Sequence, residues 1–454
     1  MQKSMNFLAG KIPHLIIKVT LPMILASLVT QIVQLTNIAF MGNVGDDEAY
    51  LRSLYIPFAF LIIALTEGIQ ISNQVSIARL KGEGKDEDIR LNINSFIILG
   101  IGISLIVLLL VVLFAPMIIS YFQIPNHLEK RFMHFIYLMF LSSIFSVFFM
   151  VLTSSLRGIG KVNLSTLLVI FYALVNVGAV YYCSFVVKLG LLSIFYGNML
   201  STLILIVVTL MFLIRNKLLV FNRKYFKFYR KSIHYLKEVG IPISLSYIVI
   251  FVSSFFFNLI IKPFGPEAIA GFGVAYYIQT FSLVPSIAIG TALGIIMNHN
   301  IGAGKQYYPR VYNTFKTGSI YTFLFYLVIS TILVFFREEI VSLMIKNESS
   351  IREAVLYLFI VAPSHLFMGL SLMTITILEQ INKGVIAVLF NALYFITIIG
   401  VGWFLTLHYG ESNYLYWTMT LTNGLGIIFV VAMGYIIRKE FISEVKIKRA
   451  ANLS

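Results

Sequence analysis

Long apolar runs broken only by single polar residues recur along the whole chain, and short clusters of charged and turn-forming residues separate them. A helix needs about 20 mostly apolar residues to cross a bilayer. Twelve stretches qualify: 19–41, 53–78, 92–116, 133–156, 163–187, 190–214, 238–261, 269–298, 312–335, 354–378, 384–407 and 412–437. Six fall in each half. The pattern predicts an all-α polytopic membrane protein with an N-terminal six-helix lobe over 1–214, a linker over 215–237, a C-terminal six-helix lobe over 238–437 and a tail over 438–454. Residues 1–18 hold an apolar run too short to span and no small-residue cleavage site, which predicts an interfacial lead-in to the first helix.

The two halves repeat. Val19 and Pro22 in VTLP return as Val239 and Pro242 in VGIP, Gly45 returns as Gly265, and Gly82, Gly84 and Lys85 in KGEGK return as Gly302, Gly304 and Lys305 in IGAGK, all 220 positions on. Leu156 and Lys161 of LRGIGK match Leu378 and Lys383 of LEQINK at 222, as a two-residue insertion produces. Six spans return the chain to its starting side, so the halves share one orientation and are expected to be related by a pseudo-twofold axis along the membrane normal. Internal duplication of a hydrophobic chain marks secondary transporters, which place a substrate site between two halves.

Composition agrees with a lipid solvent: of 454 residues 59% are hydrophobic and 12% charged, with a mean hydropathy of +0.91. No hydrophilic stretch is long enough for a separate soluble domain. Of the 34 Lys and Arg, 26 lie on the side of the termini and 8 on the other. The positive-inside rule then places both termini in the cytoplasm of a plasma-membrane protein. The net charge of +15 is read as this topology signal and gives no support for nucleic-acid binding. The linker concentrates Arg215, Lys217, Arg223, Lys224, Lys227, Arg230, Lys231 and Lys237 among Phe226, Phe228 and Tyr229. It reads as a cytoplasmic connection, with contact to anionic headgroups as the alternative. The lone Cys183 excludes an intramolecular disulfide and a cysteine-based metal cluster.

At this point the residues resemble a known family. LPMILASLVTQIVQLTNIAFMGNVG is similar to the first helix of multidrug and toxic compound extrusion (MATE) transporters, in which a Pro near the start is followed by Asp-x4-Gly-x2-Gly. KGEGK and IGAGK resemble the family's cytoplasmic turns after the second and eighth helices, and SSLRGIGK its Leu-Arg-Gly turn after the fourth. The resemblance covers nearly the whole chain. It implies two lobes around a V-shaped cavity and export of organic, often cationic, compounds driven by sodium or proton entry.

The departures bear on mechanism. Where the family's first helix carries Asp this chain has Asn37; where many members have Asn-x3-Asp in the fifth helix it has Asn176 and Val180; and where one branch has Glu in the seventh it has Ile250. The family's coupling site is therefore not carried over. Glu67 is the one acid deep in a predicted span, twelve residues before Arg79, a rise of roughly 18 Å. Gln70 and Gln74 share its face at i+3 and i+7, a polar stripe expected to line a cavity. An ionised carboxylate at that depth costs about 2.5–3.5 kcal/mol, so such a residue is read as functional by default. His365, midway through the tenth span, is the second candidate for proton coupling, set against a neutral packing role. Pro363 is expected to open that helix and free a backbone carbonyl.

Further stripes are candidate cavity walls: Ser27, Gln31 and Gln34 leading to Asn37 on the first span, Tyr247, Ser254 and Asn258 on the seventh, and Tyr276, Tyr277 and Gln279 on the eighth. Aromatic rings can hold an organic cation at about 2 kcal/mol when desolvated; interhelical packing is the competing reading. No G-x4-GK[ST] or Gly-x-Ser-x-Gly occurs, and the seven His are scattered. ATP-driven pumping, serine hydrolysis and metalloenzyme chemistry are thus disfavoured. The expectation is a non-enzymatic, monomeric secondary antiporter that binds a small organic substrate and the lipid bilayer. Its only cofactor-like ligand is the transported proton or sodium ion, and it holds no metal. A major facilitator fits poorly, because KGEGKDEDIR is acidic where that family's basic loop belongs. A lipid-linked saccharide flippase of the same superfamily is an alternative, weakened because no Arg or Lys falls inside a predicted span of the first lobe. An uncoupled binding or assembly component is the other.

Overall fold

In hydrocarbon every backbone N–H and C=O must be satisfied inside the chain, so the apolar runs close as helices. The computed structural model describes residues 5–121, 124–216, 218–219 and 227–443. Lys217, Arg223, Lys224 and Phe226 of the basic linker, and the tail beyond Ser443, lie outside them. Among the described residues there is no strand. Twelve helical segments there are long and apolar enough to cross a membrane.

In the first half the α-helices are α1 (Ile12–Val44), α2 (Asp46–Leu54), α3 (Ile56–Gly82), α4 (Asp86–Tyr121), α5 (Asn126–Gly158), α6 (Val162–Tyr181) and α7 (Leu192–Arg215). After the linker come α8 (Lys231–Tyr235), a π turn (Leu236–Gly240) and α9 (Ile241–Ile261), which together make the seventh span. Then follow α10 (Pro266–Gly302), α11 (Tyr308–Phe335), α12 (Arg337–Ser342), α13 (Glu348–Val361), α14 (His365–Gln380), α15 (Gly384–Tyr409) and α16 (Asn413–Arg438).

Most helices outrun their apolar stretch. The expected interfacial lead-in is a case in point: its second half, from Ile12, is already α1. Leu15, Ile16 and Val19 are buried on one face while His14, Ile17 and Lys18 are exposed, so amphipathic packing continues the helix where hydropathy stops. The short α2 was not foreseen. Asp46, Asp47 and Glu48 fill its first turn and Arg52 its last, each charge matched to the helix dipole.

The chain divides into two compact units, one built on Leu25–Ser244 and the other on Leu8–Ile24 with Leu245 onward. The first and seventh spans therefore contribute to both. In the first unit Tyr55 meets Phe135 edge-on at 5.1 Å, and Phe58 meets Phe132 at 6.3 Å. Further along α3, that helix and the start of the seventh span approach through glycine. A Cβ on Gly68 would lie 2.7 Å from the Gly240 carbonyl oxygen and 2.3 Å from Ser244 Oγ. In the second unit Phe272 stacks on Tyr416 at 6.2 Å and meets Tyr357 edge-on at 5.7 Å, offset geometries that ring quadrupoles favour.

The sequence repeat returns as repeated backbone conformation. Gly84 and Gly304 both have positive φ, +75° and +98°, after α3 and α10. Gly160 and Asn382, 222 apart like their flanking anchors, also do, at +85° and +63°.

Candidate functional site

In the first unit α3 carries Glu67 half-buried. Gln70, one turn on, donates from Nε2 to Glu67 Oε2 at 3.2 Å. Arg157, in the last turn of α5, supplies the positive charge that acts on this carboxylate. This corrects one expectation, that no basic residue falls inside a span of the first lobe. The fourth span runs Asn126–Gly158, past its apolar stretch at both ends, and takes in Lys130 and Arg131 at its start and Arg157 in its last turn. Gln70 and Gln74 are 5% and 0% exposed, and Gln70 Oε1 and both amide atoms of Gln74 have no hydrogen-bond partner. Buried amide atoms left without a partner cost about 1–3 kcal/mol each.

The other first-unit candidates are dispersed. On α1, Gln31 is half-buried, Gln34 exposed and Asn37 buried, with Asn37 Oδ1 lacking a donor. Asn176 of α6 is buried against α7, donating from Nδ2 to Asn198 Oδ1 at 2.7 Å and Ser201 Oγ at 3.2 Å. Val180, at the family's second acidic position, presses onto Gly197, where a Cβ would lie 2.2 Å from Val180 Cγ2.

In the second unit His365, at the start of α14, is completely buried. Its Nδ1 lies 3.3 Å from Ser282 Oγ and its Nε2 3.4 Å from Gln279 Oε1. Gln279 Oε1 also accepts from the Tyr357 hydroxyl at 2.6 Å. His365 and Gln279 are thus one polar centre inside the aromatic core. Tyr276 stacks on Phe272 at 5.6 Å; Tyr277 and Tyr247 are half-buried. Asn258 is exposed, but its Nδ2 turns back to Ser254 O at 2.9 Å. Ile250, at the third acidic position, packs on the same apolar core. The break at Pro363 is a 3-10 turn over Ala362–Ser364. Side chains reach two carbonyls at the break: Ser330 Oγ donates to Ala362 O at 2.6 Å, which also accepts from the His365 N–H, and Thr420 Oγ1 donates to Ile360 O at 2.8 Å.

Two features escaped the sequence reading. One is the knot around Asn73, whose Nδ2 donates to Val151 O, Ser154 Oγ and Ser155 Oγ at 3.0, 2.8 and 2.9 Å while Oδ1 accepts from Asn92 at 3.3 Å. Asn92 Oδ1 accepts in turn from Ser76 and from Ser232 of α8 at 2.8 and 2.9 Å, pinning the end of the linker to the lobe. The other is Glu379, near the end of α14, which is 5% exposed and accepts from Ser246 Oγ of α9 at 2.6 Å. Outside the spans, burial pushes the Arg52 and Lys161 cations below their ordinary pKa values. Each leans on a ring, Arg52 on Tyr55 at 5.5 Å and Lys161 on Phe212 at 4.8 Å, a cation–π contact that partly offsets desolvation. Among the described residues no group of His, Cys, Asp and Glu is placed to hold a metal ion.

Comparison with known proteins gives this arrangement its relatives. The chain is 23% identical over 358 residues to the probable multidrug resistance protein YoeA of Bacillus subtilis, covering 77% of each. It is 22% identical over 424 residues to the multidrug export protein MepA of Staphylococcus aureus, covering 92% of each. Its fold matches a MOP superfamily transporter from Pyrococcus furiosus at a TM-score of 0.87 with 18% identity, over 96% of this chain and 99% of that one. An outward-facing multidrug resistance MATE transporter matches at 0.89 with 16% identity, over 97% and 100%. The MatE family model matches residues 22–182 and again 242–404. Matched once in each half of its own internal repeat, this multi-pass membrane protein belongs to the MATE family of transporters.

Proposed function

We propose that the chain is a secondary antiporter that exports organic, amphipathic or cationic compounds by alternating access, in exchange for protons, with sodium as the other candidate ion. The relatives, a probable multidrug resistance protein (YoeA) and a multidrug export protein (MepA), support the substrate class. The observation that carries the coupling is Glu67: a half-buried carboxylate at membrane depth, held by Gln70 and faced by the charge of Arg157. Ionised, it balances Arg157. Protonated, it leaves that cation uncompensated, so a proton changes the electrostatics of the lobe by a full charge in a low dielectric, where charge terms are large. The protein works in the plasma membrane as a monomer with both termini in the cytoplasm, which the basic loops support, and it carries out no covalent chemistry.

The test is reconstitution of the full chain in liposomes and uptake of a panel of fluorescent organic cations under imposed proton and sodium gradients. Accumulation of at least one dye against its gradient when protons are supplied on the opposite side is the expected result. Equal fluxes with and without both ion gradients would reject coupled transport and leave an uncoupled component in its place.

A further inference from the structure

We propose that Glu379 is a second proton-binding residue of this transporter, one that exchanges its proton with the side of the membrane on which the basic loops lie. The inference rests on the proton-driven reading above and extends it to the second lobe. Glu379 is buried in the last turn of α14, and three physical terms oppose its charge there. Burial removes solvent from the carboxylate. The C-terminal end of the helix dipole is itself negative and disfavours an anion. Its one hydrogen bond, from Ser246 Oγ at 2.6 Å, supplies a single neutral donor.

Other carboxylates of the chain are better provided. Glu48 is paired with Arg131, and Glu440 with Lys383 at 2.7 Å. Glu353 accepts from Ser412 and Tyr416 at 2.6 and 2.5 Å. Several charged and titratable groups in the elements packed around this end of α14 have partners of their own, while Arg438 and Lys439 at the end of α16 are exposed. Lys383, in the turn before α15, is taken by Glu440, and Arg310 of α11 donates to Asn300 Oδ1 at 3.2 Å. His299, in the last turn of α10, is buried with bonding of its own. From α15 comes only the Asn391 amide, which donates to Ser246 O at 3.3 Å.

The internal repeat sharpens the point. Leu156 and Lys161 match Leu378 and Lys383 at an offset of 222, and the same offset sets Glu379 against Arg157. Equivalent last turns thus carry opposite charges. In the first lobe the cation suits its helix end and answers Glu67. In the second no cation pairs with the carboxylate among the described residues, and a proton is the smallest ligand that neutralises it without enlarging the site. On release the carboxyl O–H bond breaks, its electron pair stays on oxygen, the proton passes to water on the loop side, and the Ser246 hydroxyl remains as donor to the anion.

The experiment is an infrared pH titration of the purified full chain, following the carbonyl stretch of protonated carboxyl groups, alongside proton-driven dye export in liposomes. The expected result is a titrating band present in wild type and missing in Glu379→Gln, with proton-driven export lost and dye binding retained. Ser246→Ala keeps the band but moves its disappearance about one pH unit upward, since the lost O–H donor had favoured the anion; this variant decides the matter if Glu379→Gln does not fold. A Glu379→Gln protein with the wild-type band pattern, or with wild-type export at every pH, overturns the inference. A wild-type band that Glu379→Gln removes, in a protein whose export ignores the proton gradient, leaves the site standing and rejects the proton-driven reading.

Discussion

Glu67 and Asn37 show how one lobe can divide two tasks between similar side chains. An amide neither binds nor releases a proton near neutral pH, whereas its carbonyl oxygen can meet a cation. Asn37 Oδ1 is buried with no donor, so that acceptor is unspent. Asn37→Ala is therefore expected to lower sodium or substrate affinity several-fold, roughly 1 kcal/mol for a neutral contact, and to leave the pH dependence of transport unchanged. Glu67→Gln mimics the protonated carboxyl and is expected to stop gradient-driven transport while substrate binding persists. Glu67→Asp keeps the charge on a shorter stem and should retain part of the activity with a shifted pH profile. Transport rates across pH for the three variants check the division. If Asn37→Ala removed the pH-dependent step and Glu67→Gln left it intact, the roles would be reversed.

Among the elements, the α13–α14 break tests how the fold tolerates irregular backbone in lipid. Pro363 has no N–H and its ring displaces the preceding turn, and carbonyls at the break receive side-chain donors from Ser330 and Thr420. Ser330→Ala removes one of these donors and leaves the Ala362 carbonyl with the His365 N–H alone. A loss of about 0.5–1.5 kcal/mol is expected, read as a lower midpoint for denaturation in detergent micelles; an unchanged midpoint would show that the remaining donor suffices. This element also marks the limit of what sequence conveys. The twelve spans and the kink were legible because apolar length and proline act locally. Helix ends were not, since α1 and α5 continue on packing that hydropathy does not register, and that extra half-turn is what brings Arg157 into the fourth span. The polar stripes were legible in spacing but not in direction. A lobe interior and a water-filled cavity both accept amides, and only the neighbours of Gln74 and Gln279 tell which they face. Glu379 was passed over because a residue at the end of an apolar run normally meets headgroups, whereas Ser246, far away in the chain, covers it here.

Over the whole molecule, charge is arranged by side rather than by lobe. Counted on the apolar runs of the sequence, the basic linker, the tail, and the turns holding Lys85, Lys161, Lys305 and Lys383 all follow an even number of spans, while the fewer basic residues Arg52, Arg131, Lys188 and Lys262 follow an odd number. Moving a cationic loop across the bilayer during insertion is opposed by the membrane potential at about 2.3 kcal/mol per charge per 100 mV. With 26 of the 34 cations on one side, the inverted topology is disfavoured by many such terms at once. Single cysteines placed at Lys227 and Lys439, in a background with Cys183 replaced, are therefore expected to resist an impermeant thiol reagent in intact cells and to react once the membrane is permeabilised. A cysteine at Asp47, in the acidic first turn of α2, should react in intact cells. Labelling of Lys227→Cys or Lys439→Cys without permeabilisation would overturn the orientation. It would also reverse the side on which Glu379 exchanges its proton, because that residue lies four positions before Lys383 at the same end of its span.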